Sequence, residues 1–132
     1  MKKILVIDDE EDIRIVLQQV LELEGYEVAV AADGREGLAI LDQDGADLVI
    51  TDVIMPGMDG VETLEHIREK WSDMPVIVIS GGGNVAPMEY QPAAIATNAY
   101  LESARQAGAA LSITKPFERK ELLDAVGSLL SQ

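Results

Sequence analysis

Residues 3–12 read Lys-Ile-Leu-Val-Ile-Asp-Asp-Glu-Glu-Asp, an apolar run that ends in five consecutive carboxylates. The run Ile4–Ile7 is continuous rather than alternating, the pattern of a strand buried on both faces. Four more runs of this kind follow, at Val28–Ala32, Leu48–Thr51, Val76–Ser80 and Ala110–Thr114. Segments of helical period lie between them. Ile13, Val16, Leu17, Val20 and Leu21 mark one apolar face, closed by Gly25. A shorter helix is expected from Arg35 to Asp42, with Asp33 or Gly34 at its start. A third carries Val61, Leu64 and Ile67 up to Lys70, and the last carries Leu122, Leu123, Val126, Leu129 and Leu130. Strand–helix alternation predicts an α/β fold, a parallel sheet with helices on both faces.

The bulk numbers narrow the function. At 132 residues the chain fits one domain with a sizeable core, and 48% apolar with 26% charged residues describes a globular protein. A net charge of −14 repels phosphate backbones and anionic lipid, which argues against nucleic-acid or membrane binding and favours a hard cation and basic protein surfaces. With no cysteine there is no disulfide, thiol nucleophile or zinc thiolate site. The start Met1-Lys2-Lys3 precedes an apolar run too short for a signal peptide, and no segment approaches the roughly 20 apolar residues of a membrane span. The expected location is the cytoplasm.

In open parallel sheets, ligands bind beyond the carboxyl ends of the strands. Strand one delivers Asp8 and Asp9 to that rim, strand three Asp52, strand four Ser80, and strand five Lys115 followed by Pro116. Three bunched acids suit an oxygen-seeking divalent ion such as Mg²⁺. Beside it, Asp52 can attack phosphorus and become an aspartyl phosphate. Ser80 can donate to one phosphoryl oxygen while Lys115 neutralises another. Glu10, Glu11 and Asp12 read differently. They open the first helix, where anionic groups complement the helix dipole.

Asp8-Asp9, the string Asp52-Val53-Ile54-Met55-Pro56-Gly57-Met58-Asp59-Gly60, Ser80 and Lys115-Pro116-Phe117 resemble the receiver domains of two-component response regulators. The likeness covers the chain from Lys3 to Leu130, with a gap between Gly83 and about Tyr100. It implies a flavodoxin-like (βα)5 three-layer sandwich with a five-stranded parallel sheet in the order 2-1-3-4-5. It also implies roles. Asp52 is the phosphoacceptor; Asp8, Asp9, Asp52 and the backbone carbonyl of Ile54 hold Mg²⁺; Ser80 is the switch hydroxyl and Lys115 the phosphoryl-sensing lysine. The Lys115–Pro116 bond is expected to be cis, and Asp59-Gly60 to form the turn that starts the third helix. The implied donor is a histidine kinase or phosphotransfer protein, and the output passes through an unknown downstream protein. The expected unit is one receiver domain over residues 1–132, a signalling switch rather than an enzyme.

Departures from the family pattern carry information. Ser112 stands three residues before Lys115, where many receivers have an aromatic. Gly81–Leu101 carries one charged residue, Glu89, and is longer than its counterpart in the family. It reads either as a partner or self-association surface or as an insertion without a partner. Within it, Pro92 starts a helix to about Ala107, or Asn98 caps a shorter one. The Gly81–Gly83 run lacks the Lys-Ser/Thr of a phosphate-binding loop and reads as a hinge. His66 reads as a surface residue and Trp71 as packing.

Rival readings are a phosphorelay intermediate, a receiver excised from a larger regulator, and, from another class, a Mg²⁺-dependent phosphohydrolase working through an aspartyl phosphate. The Met-Lys-Lys-Ile start weighs mildly against excision, and an end soon after the last helix suggests output through protein contacts. Known phosphohydrolases of that style place D-x-D after the first strand, whereas here the nucleophile follows strand three.

In the family, the positions two after the phosphoacceptor and two after the switch hydroxyl tune hydrolysis. Here they are Ile54 and Gly82, and neither side chain can position water. Self-dephosphorylation is therefore expected to be slow. A phosphoryl lifetime of seconds in the purified protein, followed by loss of label, would contradict this.

Overall fold

The computed structural model describes residues 2–52, 60–80, 109–114 and 118–130. In chain order these form β1 (Lys3–Ile7), α1 (Glu11–Leu23), β2 (Glu27–Ala31), α2 (Gly34–Gln43), β3 (Leu48–Asp52), α3 (Gly60–Lys70), β4 (Val76–Ser80), β5 (Leu111–Thr114) and α4 (Arg119–Leu130). Every strand falls within one residue of its expected bounds. The five strands form one parallel sheet in the order β2-β1-β3-β4-β5, as the family resemblance implied. The Gly81–Leu101 segment, both candidate helices within it, the Gly81–Gly83 run and the Lys115–Pro116 bond lie outside the described residues.

The continuous apolar runs follow from the layering. Successive strand residues point to opposite faces, and both faces of this sheet are covered. Ile4, Val6, Leu48, Ile50, Ile77, Ile79 and Ile113 pack with Leu17 and Leu21 of α1 and with Leu122 and Val126 of α4. On the other face, Leu5, Ile7, Val49, Val76 and Val78 pack with Leu41 of α2 and with Leu64 and Ile67 of α3. The result is a three-layer sandwich. His66 is exposed, and Trp71 is half-buried against the second cluster, with the Lys70 ammonium 5.2 Å from its ring centroid. Both residues sit as the sequence implies.

The ends of the helices explain their placement. Past the end of α1, Gly25 adopts φ 94°; its N–H donates to the Glu22 carbonyl, and the Tyr26 N–H reaches back to Leu21. This paired arrangement closes a helix through a left-handed residue, a conformation that glycine enters without a Cβ penalty. At the start of α2, the Asp33 carboxylate accepts from the Glu36 N–H at 2.8 Å, while Glu36 Oε1 accepts from the Ala32 N–H at 3.0 Å. Two backbone donors are thus satisfied reciprocally at a helix start.

One expectation is corrected. The apolar period assigns Val16 to the buried face of α1, yet it is 48% exposed. At about 100° per residue, Leu17 and Leu21 straddle the centre of the buried stripe, with Ile13 and Val20 at its margin. Val16 is rotated beyond that margin, so its apolar character does not bring it into the core.

Gly37, within α2, faces β1 at close range. A Cβ there would lie 2.8 Å from Ile7 Cγ1 and nearer still to Cδ1. Glycine inside a helix ordinarily costs about 0.5–1 kcal/mol relative to alanine. Here overpacking, typically about 1–3 kcal/mol, outweighs that gain. Gly37→Ala is therefore expected to lower the urea midpoint, whereas Val16→Ala should change stability by less than about 0.5 kcal/mol. A Gly37→Ala protein more stable than the parent would show that Ile7 has room to yield.

Candidate functional site

The hydrogen-bond register of the two central strands builds the site. Ile7 pairs with Thr51, so the residues that follow them, Asp8 just past β1 and Asp52 at the end of β3, reach the carboxyl rim at the same level. The Asp8 N–H extends the ladder to β2, donating to the Ala31 carbonyl at 3.1 Å. Asp52 in turn pairs with Ile79, and Ser80, one residue further, pairs with Thr114 at the end of β5. Four strands thus end at one rim, the place where a parallel sheet leaves backbone and side chains for ligands.

Four carboxylates gather there. Asp8, Asp9, Glu10 and Asp52 each offer an oxygen, and these oxygens all lie within 4.8 Å of one another. Asp8 and Asp52 are only 1% and 3% exposed, whereas Asp9 and Glu10 are open to solvent. The cluster therefore has a buried floor and an accessible lip. Like charges this close repel, and burial on the floor leaves less water to screen them. A donor set made entirely of carboxylate oxygens, without sulfur or imidazole, matches a hard divalent cation.

The loop that carries the acids is tied at several points. Asp8 Oδ1 accepts from the Glu10 N–H at 2.9 Å, and the Asp8 carbonyl accepts from Arg14 Nη1 at 2.7 Å. The Thr51 hydroxyl, fully buried, donates to the Asp52 carbonyl at 3.1 Å.

Of the residues singled out from the sequence, Asp8, Asp9 and Asp52 come together as expected. Ser80 ends β4 at the same rim by its backbone register. Ile54, Gly82, Lys115, Pro116 and Phe117 lie outside the described residues, as does Asp59; Gly60 is the first residue of α3. Ser112 is exposed on β5, opposite Val78.

Two residues escape the sequence reading. The first is Glu10, which the sequence groups with Glu11 and Asp12 at the helix start. Glu11 and Asp12 do occupy the first turn of α1, and Glu10 caps it by its backbone. The Glu10 side chain makes no capping hydrogen bond and joins the acid cluster instead. A glutamate is a weak N-cap compared with aspartate or serine, and that is the signal the sequence holds. The second is Arg14, one basic residue set among acids one helical turn after Glu10.

Comparison with known proteins shows the family of this chain. A family model for the response regulator receiver domain matches residues 4–127. The chain belongs to the response regulator receiver family. A receiver is a signalling switch rather than a turnover enzyme, and its place is in two-component signalling. The receiver is 39% identical over 129 residues to a probable transcriptional regulator, ycf27, of Cyanophora paradoxa, covering 98% of this chain and 48% of that protein. It spans about half the length of the transcriptional regulators it matches first. Sporulation initiation phosphotransferase F of Bacillus subtilis is 33% identical over 98% of this chain and 94% of its own length. Among solved structures, the response regulator TrrA of Thermotoga maritima, in complex with Mg²⁺–BeF, superposes with a TM-score of 0.77 at 35% identity, covering 98% of this chain and 99% of that one.

The receiver's four-acid rim makes a prediction independent of phosphate. Replacing Asp9 with asparagine removes one member of a mutually repelling set whose oxygens suit a divalent cation. Without divalent ions, Asp9→Asn should melt a few degrees above the parent; with millimolar divalent cation, the parent should gain more stability than the variant. Thermal melts with and without the ion check both signs.

Proposed function

We propose that this receiver accepts a phosphoryl group on Asp52 from a phosphohistidine of a histidine kinase or phosphotransfer protein, and that the reaction requires Mg²⁺. The observation that carries this reading is the closure of the acid cluster on Asp52 at the buried end of the central strand. Mg²⁺ fits the donor set, with Asp8, Asp9 and Asp52 and the Ile54 carbonyl as the residues that would hold it. When bound, such an ion offsets the repulsion among the carboxylates and polarises a phosphoryl oxygen.

The chain's own groups then divide the chemistry among them. An Asp52 carboxylate oxygen forms the new bond to phosphorus as the donor's P–N bond breaks, and the imidazole leaves with the electron pair. The strand ends fix Asp52 so that little ordering remains to be done when the donor docks. The Ser80 hydroxyl donates to one phosphoryl oxygen and the Lys115 ammonium neutralises another, so charge on Asp52 is read at β4 and β5. In this reading residues 1–132 act as one receiver unit in the cytoplasm, with the low-charge segment 81–101 as a partner surface. Output passes to a downstream protein through contacts rather than through nucleic acid bound by this chain.

A second placement, as an intermediate that hands its phosphoryl group onward, draws support from the likeness to a sporulation phosphotransferase over nearly the whole of both chains. It uses the same Asp52 chemistry and differs only in the partner that follows.

The test compares the parent with Asp52→Ala after incubation with a small phosphodonor and Mg²⁺. Intact mass should show one acid-labile phosphoryl adduct on the parent, lost without Mg²⁺ and absent from the variant. A folded parent without the adduct overturns the proposal. Sustained turnover of a phosphomonoester would move the protein to the phosphohydrolase class.

A further inference from the structure

Five acids in a row raise the question of what counters them within the chain itself. Among the described residues, Arg14 is the base that reaches the acid loop, and it binds there in an unexpected way. Although Asp8, Asp9 and Glu10 lie nearby, its guanidinium donates to the Asp8 main-chain carbonyl at 2.7 Å, and no ion pair among the described residues involves it.

We infer that Arg14 is a positioning residue for the cation-binding acids, clamping the backbone of Asp8 while leaving carboxylate oxygens for the metal. The inference rests on the Mg²⁺-dependent receiver reading and deepens it. The two peptide groups that flank the Asp8 Cα are both held: the Asp8 N–H donates to the Ala31 carbonyl of β2, and the Asp8 carbonyl accepts from Arg14 of α1. Asp8 Oδ1 is bonded to the Glu10 N–H, which fixes the turn that carries Asp9. Arg14 is itself half-buried and anchored in the first turns of α1, where its N–H bonds the Glu10 carbonyl. A charge-assisted bond from a rigid fork is well suited to hold a carbonyl at a fixed angle. Had the guanidinium bound a carboxylate bidentately, it would have competed with the cation for that ligand.

The sign of the effect separates this role from a plain electrostatic one. As a neighbouring positive charge, Arg14 repels a second cation, so its removal would tighten binding. As a clamp, its removal frees the Asp8–Asp9 backbone, and binding must then supply the ordering that the parent has already.

Mg²⁺ alone is the probe, titrated by calorimetry into the full chain as parent, Arg14→Ala and Arg14→Lys. Arg14→Ala is expected to raise the Mg²⁺ dissociation constant about tenfold, and Arg14→Lys, which keeps charge but loses the fork, about threefold. With a small phosphodonor, the Mg²⁺ concentration giving half the maximal rate should rise in the same order, while the rate at saturating Mg²⁺ stays near that of the parent. Equal or tighter Mg²⁺ binding by Arg14→Ala overturns the inference, and so does a loss of thermal stability that is the same with and without Mg²⁺. Should Arg14→Ala fail to fold, Arg14→Lys decides alone by the same comparison with the parent. A parent that binds no Mg²⁺ overturns the receiver reading and this inference together, whereas a parent that binds and variants that match it overturn the inference alone.

Discussion

Everything at the functional rim depends on the parallel pairing of β1 with β3, with Ile7 opposite Thr51. Because side chains alternate along a strand, a slip of one residue would turn each buried side chain of β1 toward the other layer. Leu5 and Ile7 would then meet α1 and α4, while Ile4 and Val6 would meet α2 and α3. Two different sets of helices, each shaped to its own half of the strand, therefore enforce a single register. That register sets Asp8 level with Asp52. The hydrophobic core is in this sense what aligns the carboxylates, and the chemistry at the rim inherits its accuracy from residues that never touch solvent.

The same alignment works against the stability of the rim. Carboxylates held within a few ångströms of one another, two of them on a buried floor, are an arrangement that no folding argument would favour alone. It persists because the sandwich beneath overdetermines the backbone: Ile7 is pinned by Gly37 and β2, and Asp52 ends a strand that is buried along its whole length. Such local conflict between stability and arrangement is characteristic of sites that await a ligand. The net charge of −14 places this conflict in a chain already short of cations.

The sheet is legible in the sequence because burial on both faces leaves an unbroken apolar run, and each run ends where the rim begins. Asp8, Asp9 and Asp52 can be read because they immediately follow such runs. The sequence misleads where direction around a helix matters. Val16 is apolar but turned out of the core, and Glu10 begins a helix by its backbone while its side chain turns back to the acids. Arg14 escapes notice for a related reason: its bond is to a carbonyl, and no pattern of side-chain types records a backbone acceptor. The roles proposed for Ser80 and Lys115 draw their weight from the family resemblance, since a serine or lysine at a strand end carries little signal by itself.

Trp71 has a consequence for how this molecule can be watched. It follows α3 at the amino edge of the sheet, where the Pro75 carbonyl meets the start of β3, while Asp52 ends that strand at the opposite edge. Three residue steps along β3, about 10 Å of extended chain, take Val49 to Asp52. The indole is the one tryptophan in the sequence and rests on the α2–α3 core with a lysine ammonium over its ring. Its fluorescence thus reports whether the sandwich is intact, from a position remote from the acids. The protein carries an optical gauge of folding that is spatially separated from its chemical centre.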